Sequence, residues 1–164
     1  CANLPYNITT PVLTKLVETP CFESITVMIQ KEVAQRLCAA QGSADGGAFS
    51  LFLQYYMETE LLFDVPREKF LPAPKVTSAV IRCVRRSRPA VEEDEDFFFR
   101  CVRAAFVLRR KTLANSLAAG LQGFDKTAIQ SAIEAGGWSP SVRGEQLTLS
   151  DFARLAQLLR SAQA

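Results

Sequence analysis

The sequence contains no histidine, and this absence excludes two classes of site. Acid–base catalysis by histidine and metal ligation by histidine are both impossible within these 164 residues. Cysteine is scarce, with five residues at positions 1, 21, 38, 83 and 101, an odd number without close pairs. This spacing argues against a disulfide framework and against a zinc site, and it favours reduced thiols. We therefore expect a cytoplasmic protein without a metal site.

Long apolar runs are also absent, because no uninterrupted apolar segment approaches the ~18 residues that a membrane span requires. The composition is otherwise ordinary for a folded protein, with 48% hydrophobic and 22% charged residues. The net charge is only +2, but the basic residues are unevenly distributed along the chain. We expect a globular protein that has no membrane partner.

The first half of the chain alternates helical and strand patterns, which is typical of an α/β fold. Thr9-Thr10-Pro11 predicts a helix with a hydroxyl N-cap, and Thr19-Pro20 predicts its end. The nearly continuous apolar run 24–29 is typical of a strand buried on both faces of a parallel sheet. Cys1-Ala2 has the pattern of the last step of another buried strand. A further helix and two strands are predicted at 31–40, 60–65 and 77–84.

Two connections in this half have unusual compositions. The segment Gln41–Ala48 contains three glycines and no large apolar residue, so we predict a loop, followed by a helix capped by Ser50. The segment Pro66–Lys75, here called the proline-rich loop, contains three prolines. Proline restricts its own backbone and that of the preceding residue, so this loop should hold Phe70 in a fixed place. A core position and a functional position for that ring are equally compatible with the pattern.

The composition changes at Arg85–Pro89 and again at the acidic run Glu92–Asp96, where we place the start of a second domain. Acidic residues favour a helix N-terminus, and we predict one long helix from there through Leu113, with its end marked by Gly120 and Gly123. Further helices are predicted from Asp125 to Ala135 and from Ser150 onward, which makes a small bundle. The first helix carries five positive charges within twelve residues, at Arg100, Arg103, Arg109, Arg110 and Lys111. Such a run is either a solvated face, a partner for the acidic run, or a phosphate-binding surface.

The segment Asn3-Leu4-Pro5-Tyr6 combines a carboxamide, the carbonyl of a residue that lacks an N–H group, and an aromatic ring. Amide and carbonyl oxygens accept hydrogen bonds from amino groups, and an aromatic ring can stack on a planar base. The set therefore suits the exocyclic amine of a nucleobase. Taken alone, Asn-x-Pro is more often a turn.

Several of these segments, in this order, resemble the small-subunit (16S) rRNA dimethyladenosine transferases. The segment Asn3–Ile8 resembles the fourth motif of adenine-N6 methyltransferases, and Phe70–Val80 is similar to the proline-rich loop of this family. Other similar segments are 30–37, 102–106, 109–117 and 143–147. The resemblance covers nearly the whole chain, and several ordered motifs are a stronger signal than one.

The resemblance implies transfer of methyl groups from S-adenosylmethionine to N6 of two adjacent adenines near the 3′ end of small-subunit rRNA. It implies that the Asn3 side chain and the Pro5 carbonyl accept hydrogen bonds from the adenine amine. Tyr6 and Phe70 would stack on the two sides of the flipped base, and Asn3 and Leu4 would border the cofactor. Two acceptors out of the ring plane favour the tetrahedral nitrogen of the transition state, so no strong base is required.

The expected partner is small-subunit rRNA, free or in the assembling small ribosomal subunit. Contacts with phosphates are expected from the following residues: Arg103, Arg109, Arg110, Lys111, and also Lys75 and Arg143. A non-catalytic RNA-binding module for subunit assembly is the alternative function. A DNA adenine methyltransferase shares the Asn-x-Pro-Tyr logic but is not expected to carry the basic run.

The sequence also departs from the family pattern. A glycine-rich turn after a first strand and an acidic residue after a second strand are not found, and Ser43, Ala44 and Asp45 replace the usual Lys and aromatic of the glycine-containing loop. We therefore expect residues 1–86 to be the C-terminal half of a Rossmann-like class I methyltransferase domain. Residues 87–164 are expected to form a small all-α RNA-facing domain. Most of the S-adenosylmethionine site would then lie upstream of Cys1, and the chain alone should be inactive.

Overall fold

The structure is a computed structural model that describes residues 1–162. It contains two compact units. The first comprises residues 1–39 and 52–90, and the second comprises residues 40–51 and the chain from Val91 onward. The segment 40–51, which the predicted boundary at residue 86 assigns to the first domain, thus groups with the second unit.

The first unit is a mixed α/β structure. Its four-stranded sheet has the order β1-β2-β4-β3, with β1 parallel to β2 and both β2 and β3 antiparallel to β4. The strands are β1 Ala2–Asn3, β2 Ser24–Gln30, β3 Met57–Val65 and β4 Ser78–Arg85. The first three helices of the chain are α1 Thr9–Glu18, α2 Lys31–Leu37 and α3 Ala48–Tyr56. The third helix begins in the segment that groups with the second unit.

Strand β2 has one buried face. In β2, Ile25, Val27 and Ile29 are buried, whereas Thr26 and Met28 are only half-buried. Successive side chains of a strand point to opposite faces, so the alternation means that the described residues cover one face of the sheet more fully than the other. The prediction of burial on both faces is therefore wrong for this strand, and both residues of β1 are exposed.

Three helix starts or ends differ from the predictions. The N-cap of α1 is Ile8, which makes no side-chain hydrogen bond, because a 3₁₀ turn at Tyr6–Ile8 leads directly into the helix. The second helix ends at Leu37 rather than at Ala40, and α3 begins at Ala48, so that Ser50 is buried inside this helix rather than at its cap. The end of α1 before Thr19 agrees with the prediction.

The second unit contains four further helices. They are α4 Glu95–Ala105, α5 Leu113–Gly120, α6 Lys126–Ala135 and α7 Leu149–Ser161. Their packing buries Phe98, Leu113 and Phe152 completely. Each of these helices has a side-chain cap at its N-terminus: Asp94 accepts from Phe97 N, Thr112 from Asn115 N, Asp125 from Ala128 N and Thr148 from Asp151 N.

The prediction of one helix through Leu113 is wrong. The chain leaves the helix at Ala105 and turns over residues 106–112 before α5 begins. The hydroxyl of Ser116 donates to the Ala104 carbonyl at 2.9 Å and accepts from Leu108 N at 3.0 Å. These side-chain bonds replace main-chain helical bonds at the turn. The basic residues 109–111 therefore lie in a turn rather than on a helix face.

Within residues 1–162, no helix combines the length and the apolar character that a membrane crossing requires. The same residues bring together no group of three or more His, Cys, Asp or Glu side chains that could hold a metal ion.

Candidate active site

Two segments that are distant in sequence line one cavity of about 280 Å³ in the first unit. Its lining residues are Asn3, Leu4, Pro5, Tyr6, Phe70, Pro72 and Pro74. The four residues predicted to hold the base, which are Asn3, Pro5, Tyr6 and Phe70, are thus brought to the same space. We call this space the base cavity.

The position of Asn3 follows from the short parallel strand. Asn3 pairs with Met28 in β2, and Leu4 N then donates to the Met28 carbonyl at 3.1 Å. Leu4 is buried, whereas Asn3 is exposed at the carboxyl end of β1. Ligands of α/β proteins bind at the carboxyl ends of parallel strands, so Asn3 lies where a ligand can reach its amide.

The Pro5 carbonyl already has two donors within the chain. It accepts from Ile8 N at 3.2 Å and from the Thr9 hydroxyl at 3.4 Å. The first distance is at the long end of the usual range for an N–H donor, and the second is beyond the usual range for a hydroxyl donor. An incoming amine would therefore compete for this oxygen with two weak donors. The sequence did not indicate that the Pro5 carbonyl already accepts these two hydrogen bonds.

The Tyr6 ring is held at its hydroxyl. Tyr6 Oη lies 2.8 Å from Ser78 Oγ, and either atom can be the donor. Tyr6 is half-buried, and Ser78, the first residue of β4, is buried. Sequence reasoning missed the contact between Tyr6 and Ser78, although Ser78 lies inside the segment Phe70–Val80 that resembles the family.

The proline-rich loop carries Phe70 to the cavity. A 3₁₀ turn at Arg67–Lys69 begins the loop, with Lys69 N donating to the Pro66 carbonyl and Phe70 N to the Arg67 carbonyl. Phe70 is half-buried and lines the cavity, so it is not a fully buried core residue. The next residue, Leu71, is fully exposed.

Asn3 borders a second groove as well. This groove has a volume of about 390 Å³ and is lined by Cys1, Ala2, Asn3, Thr26, Val27, Met28 and Val80. One exposed amide therefore lies between the base cavity and a groove along β1 and β2. A residue that contacts both a methyl donor and an acceptor base requires such a position.

The predicted phosphate ligands divide between free and paired side chains. Arg103, Arg110 and Lys111 in the second unit are exposed, as is Lys75 in the proline-rich loop. The Arg109 guanidinium lies 3.7 Å from Glu145 and 3.4 Å from the Ala44 carbonyl.

A single carboxylate connects two of the predicted arginines. Arg143 lies 3.9 Å from Glu145, whose side chain is only 14% exposed, so Glu145 holds both Arg109 and Arg143. The acidic run has a different partner, because Glu93 and Asp94 both pair with Arg160 of α7. Glu93 and Asp94 therefore pair with an arginine that is not among the predicted phosphate ligands.

Comparison with known proteins decides the family. Residues 1–151 match the model of the family described as ribosomal RNA adenine dimethylase. The chain belongs to this family.

Curated relatives of this dimethylase family agree with the match. The chain is 48% identical over 165 residues to ribosomal RNA small subunit methyltransferase A of Streptococcus thermophilus, covering 98% of the chain and 57% of the relative. It is 49% identical over 163 residues to the protein of the same name from Streptococcus mutans, covering 97% of the chain and 56% of the relative. The chain thus spans a little over half the length of these relatives.

Solved structures show the fold of the family. A dimethyladenosine transferase from Plasmodium falciparum matches with a TM-score of 0.81 at 22% identity, covering 99% of the chain and 67% of that protein. A 23S rRNA methyltransferase matches with a TM-score of 0.72 at 24% identity, covering 97% of the chain and 65% of that protein. The mixed α/β unit and the helical unit therefore have the fold found in rRNA methyltransferases.

Proposed function

We propose that this chain is the C-terminal part of an enzyme that dimethylates N6 of two adjacent adenines near the 3′ end of small-subunit rRNA, with S-adenosylmethionine as methyl donor. The observation that carries the proposal is the base cavity, where Asn3, Pro5, Tyr6 and Phe70 meet in a member of the rRNA adenine dimethylase family. The names of the relatives, which are small-subunit methyltransferases, support the choice of substrate.

The chemical difficulty lies in the adenine amine. Its lone pair is delocalised into the purine ring, so the planar nitrogen is a poor nucleophile. In the first methyl transfer, the Asn3 amide oxygen and the Pro5 carbonyl accept its two N–H groups and favour a tetrahedral nitrogen whose lone pair points away from both oxygens. In the second transfer the nitrogen has one N–H group left for these acceptors. These acceptors stabilise positive charge as it develops on nitrogen, which is a preference for the transition state.

The cofactor supplies an electrophilic methyl group when it is bound. The residues present would form only one border of the cofactor site: Asn3 borders both the base cavity and the groove, and the rest of the groove's lining is mostly apolar. Leu4 would border the cofactor only through its position, because its N–H group already donates to the Met28 carbonyl. We infer that Asn3 orients the amine toward this groove.

The target base must leave its stack to enter the cavity. Extracting a base costs a few kcal/mol, and stacking on aromatic side chains contributes ~1–3 kcal/mol per base. Tyr6 and Phe70 approach the cavity from different segments and supply the two aromatic faces. The exposed cations of the second unit, Arg103, Arg110 and Lys111, hold the phosphate backbone, and Arg109, Arg143 and Lys75 are further ligands.

Substitution of Asn3 by Ala in the full-length protein tests the proposal. Methylation of small-subunit rRNA, measured with radiolabelled S-adenosylmethionine, should be lost while RNA affinity is retained. Asn7→Ala is the matched control, because Asn7 is an exposed asparagine of the adjoining 3₁₀ turn and does not line the cavity. Full activity of Asn3→Ala would contradict the enzymatic assignment.

A non-catalytic RNA-binding function in subunit assembly is the second candidate, and the exposed cations of the second unit favour it. It predicts that Asn3→Ala causes loss of neither methylation nor RNA binding. We also expect that residues 1–164 alone do not methylate RNA, and turnover by this chain in the same assay would overturn that expectation.

A further inference from the structure

We propose that Ser78 is a positioning residue for the base cavity and that it acts through the ring of Tyr6. The inference rests on the proposed function. Ser78 is 1% exposed and begins β4, the strand that lies between β2 and β3. Its backbone is in register with Gln30 on one side and Val65 on the other. The hydroxyl of Ser78 is therefore attached to a well-connected position in the sheet.

Tyr6 has no comparable support from its own backbone. It belongs to a 3₁₀ turn of three residues, Tyr6–Ile8, in which no residue is buried. The bond of 2.8 Å to Ser78 ties the far end of the ring to β4. With the Cα end carried by the turn and the hydroxyl end tied to the sheet, the plane of the ring is restricted.

Ser78 is also the point at which the proline-rich loop reaches the sheet. The loop leads through Val76 and Thr77 into β4, and the Thr77 carbonyl accepts from Lys31 N at 3.0 Å. Phe70 is thus carried by the segment that ends at Ser78, and Tyr6 is bonded to the same residue. The gap between the two rings, which must admit a flat base, depends on this shared anchor.

The bond also assigns a role to the Tyr6 hydroxyl. A buried or partly buried hydroxyl requires a partner, and Ser78 supplies one. Tyr6 therefore presents the face of its ring to the base, and its hydroxyl orients the ring rather than exchanging a proton with the substrate. Ser78 has no contact with the substrate in this arrangement.

A double-mutant cycle in the full-length protein tests the inference, with Ser78→Ala, Tyr6→Phe and the double variant. Each single change should lower kcat/KM for rRNA about 3- to 10-fold, the effect of one hydrogen bond. The kcat/KM of the double variant should equal that of the less active single variant, because both changes break the same hydrogen bond and the second change has nothing further to remove. The KM for S-adenosylmethionine should stay unchanged, and Ser78→Thr, which keeps a hydroxyl, should restore part of the activity.

RNA with 2-aminopurine in place of the target adenine gives a second measurement, since stacking quenches its fluorescence. Ser78→Ala and Tyr6→Phe should weaken the quenching equally. Ser24→Ala is the matched control, because Ser24 is the exposed first residue of β2 in the same sheet. Losses that multiply in the double variant would overturn the inference.

The variants also separate this inference from the proposed function. If Asn3→Ala and Tyr6→Ala remain active, the proposed function fails and the role of Ser78 fails with it. If those variants are inactive while Ser78→Ala and Tyr6→Phe match the parent protein, only the inference on Ser78 fails. Because Tyr6→Phe alters a half-buried side chain and leaves the strand intact, it decides the case even if Ser78→Ala does not fold.

Discussion

Replacement of Ser116 by Ala perturbs the turn that carries the basic residues 109–111. The Ser116 hydroxyl is fully buried, and its two hydrogen bonds join the Ala104 carbonyl at the end of α4 to Leu108 N in the turn. Alanine keeps the helix propensity of α5 and removes both bonds at once. The change therefore isolates the contribution of this hydroxyl.

The expected loss follows from the two bonds and their surroundings. A net contribution of about 1 kcal/mol per bond gives about 2 kcal/mol in the free energy of unfolding. The larger penalty for unpaired buried groups does not apply in full, because the Ala104 carbonyl also accepts from Val107 N at 3.3 Å. Leu108 is 40% exposed, so water can reach this part of the turn. For a chain of this size, the loss corresponds to a decrease of about 4–8 °C in Tm.

Urea denaturation followed by circular dichroism measures the free energy, and Ser131→Ala on an exposed position of α6 is the matched control. RNA affinity measured as a function of salt gives a second readout, since a displaced turn should lower both the affinity and its salt dependence. A loss below about 0.5 kcal/mol, the range of ordinary surface substitutions, would refute the reasoning.

Three further predictions concern the cavity, the RNA contacts and the thiols. Phe70→Ala should lower kcat/KM about 5- to 150-fold, since stacking of one base contributes ~1–3 kcal/mol. Charge reversal of Arg109 and Arg110 should weaken RNA binding and reduce the slope of log affinity against log salt by ~0.7–0.9 per lost phosphate contact. Burial raises the pKa of Cys83 and of Cys101 from 9.0 to about 12. Because burial disfavours both thiolates, these thiols leave the free energy of unfolding unchanged below pH 9 and lower it as the pH rises from 9 toward 12.

Each of these predictions has an internal control. Leu71→Ala changes a fully exposed neighbour in the same loop and should leave kcat/KM unaltered. Arg67→Glu alters an exposed arginine that pairs with Glu68 in the first unit, and it should have a smaller effect on RNA affinity. In alkylation at pH 8, exposed Cys21 should react in the folded protein, whereas the two buried thiols should react only after unfolding. Rapid alkylation of the buried thiols, or unchanged RNA affinity at low salt after charge reversal, would contradict the respective prediction.

Local patterns were sufficient for much of the secondary structure. The strand at 24–30 follows from β-branched residues, and the starts of α4 and α6 follow from Asp94 and Asp125, whose carboxylates accept from N–H groups three residues ahead. The chemical groups of the candidate site could also be predicted from the sequence, because an amide, a proline carbonyl and an aromatic ring lie next to each other in Asn3–Tyr6. All of these features depend on interactions within a few residues of the chain.

Contacts between distant residues were decided only by the tertiary structure. The helix break before α5 depends on a hydroxyl at Ser116 that bonds residues eight and twelve positions earlier. The Tyr6 hydroxyl is hydrogen-bonded to Ser78, 72 positions away, and Arg109 and Arg143 share Glu145. Residue types and local periodicity restrict which groups can bond, but a hydrogen bond forms only where folding brings a donor and an acceptor to about 3 Å. The sequence therefore determined which chemical groups the candidate site contains, and the fold determined which partners hold them in place.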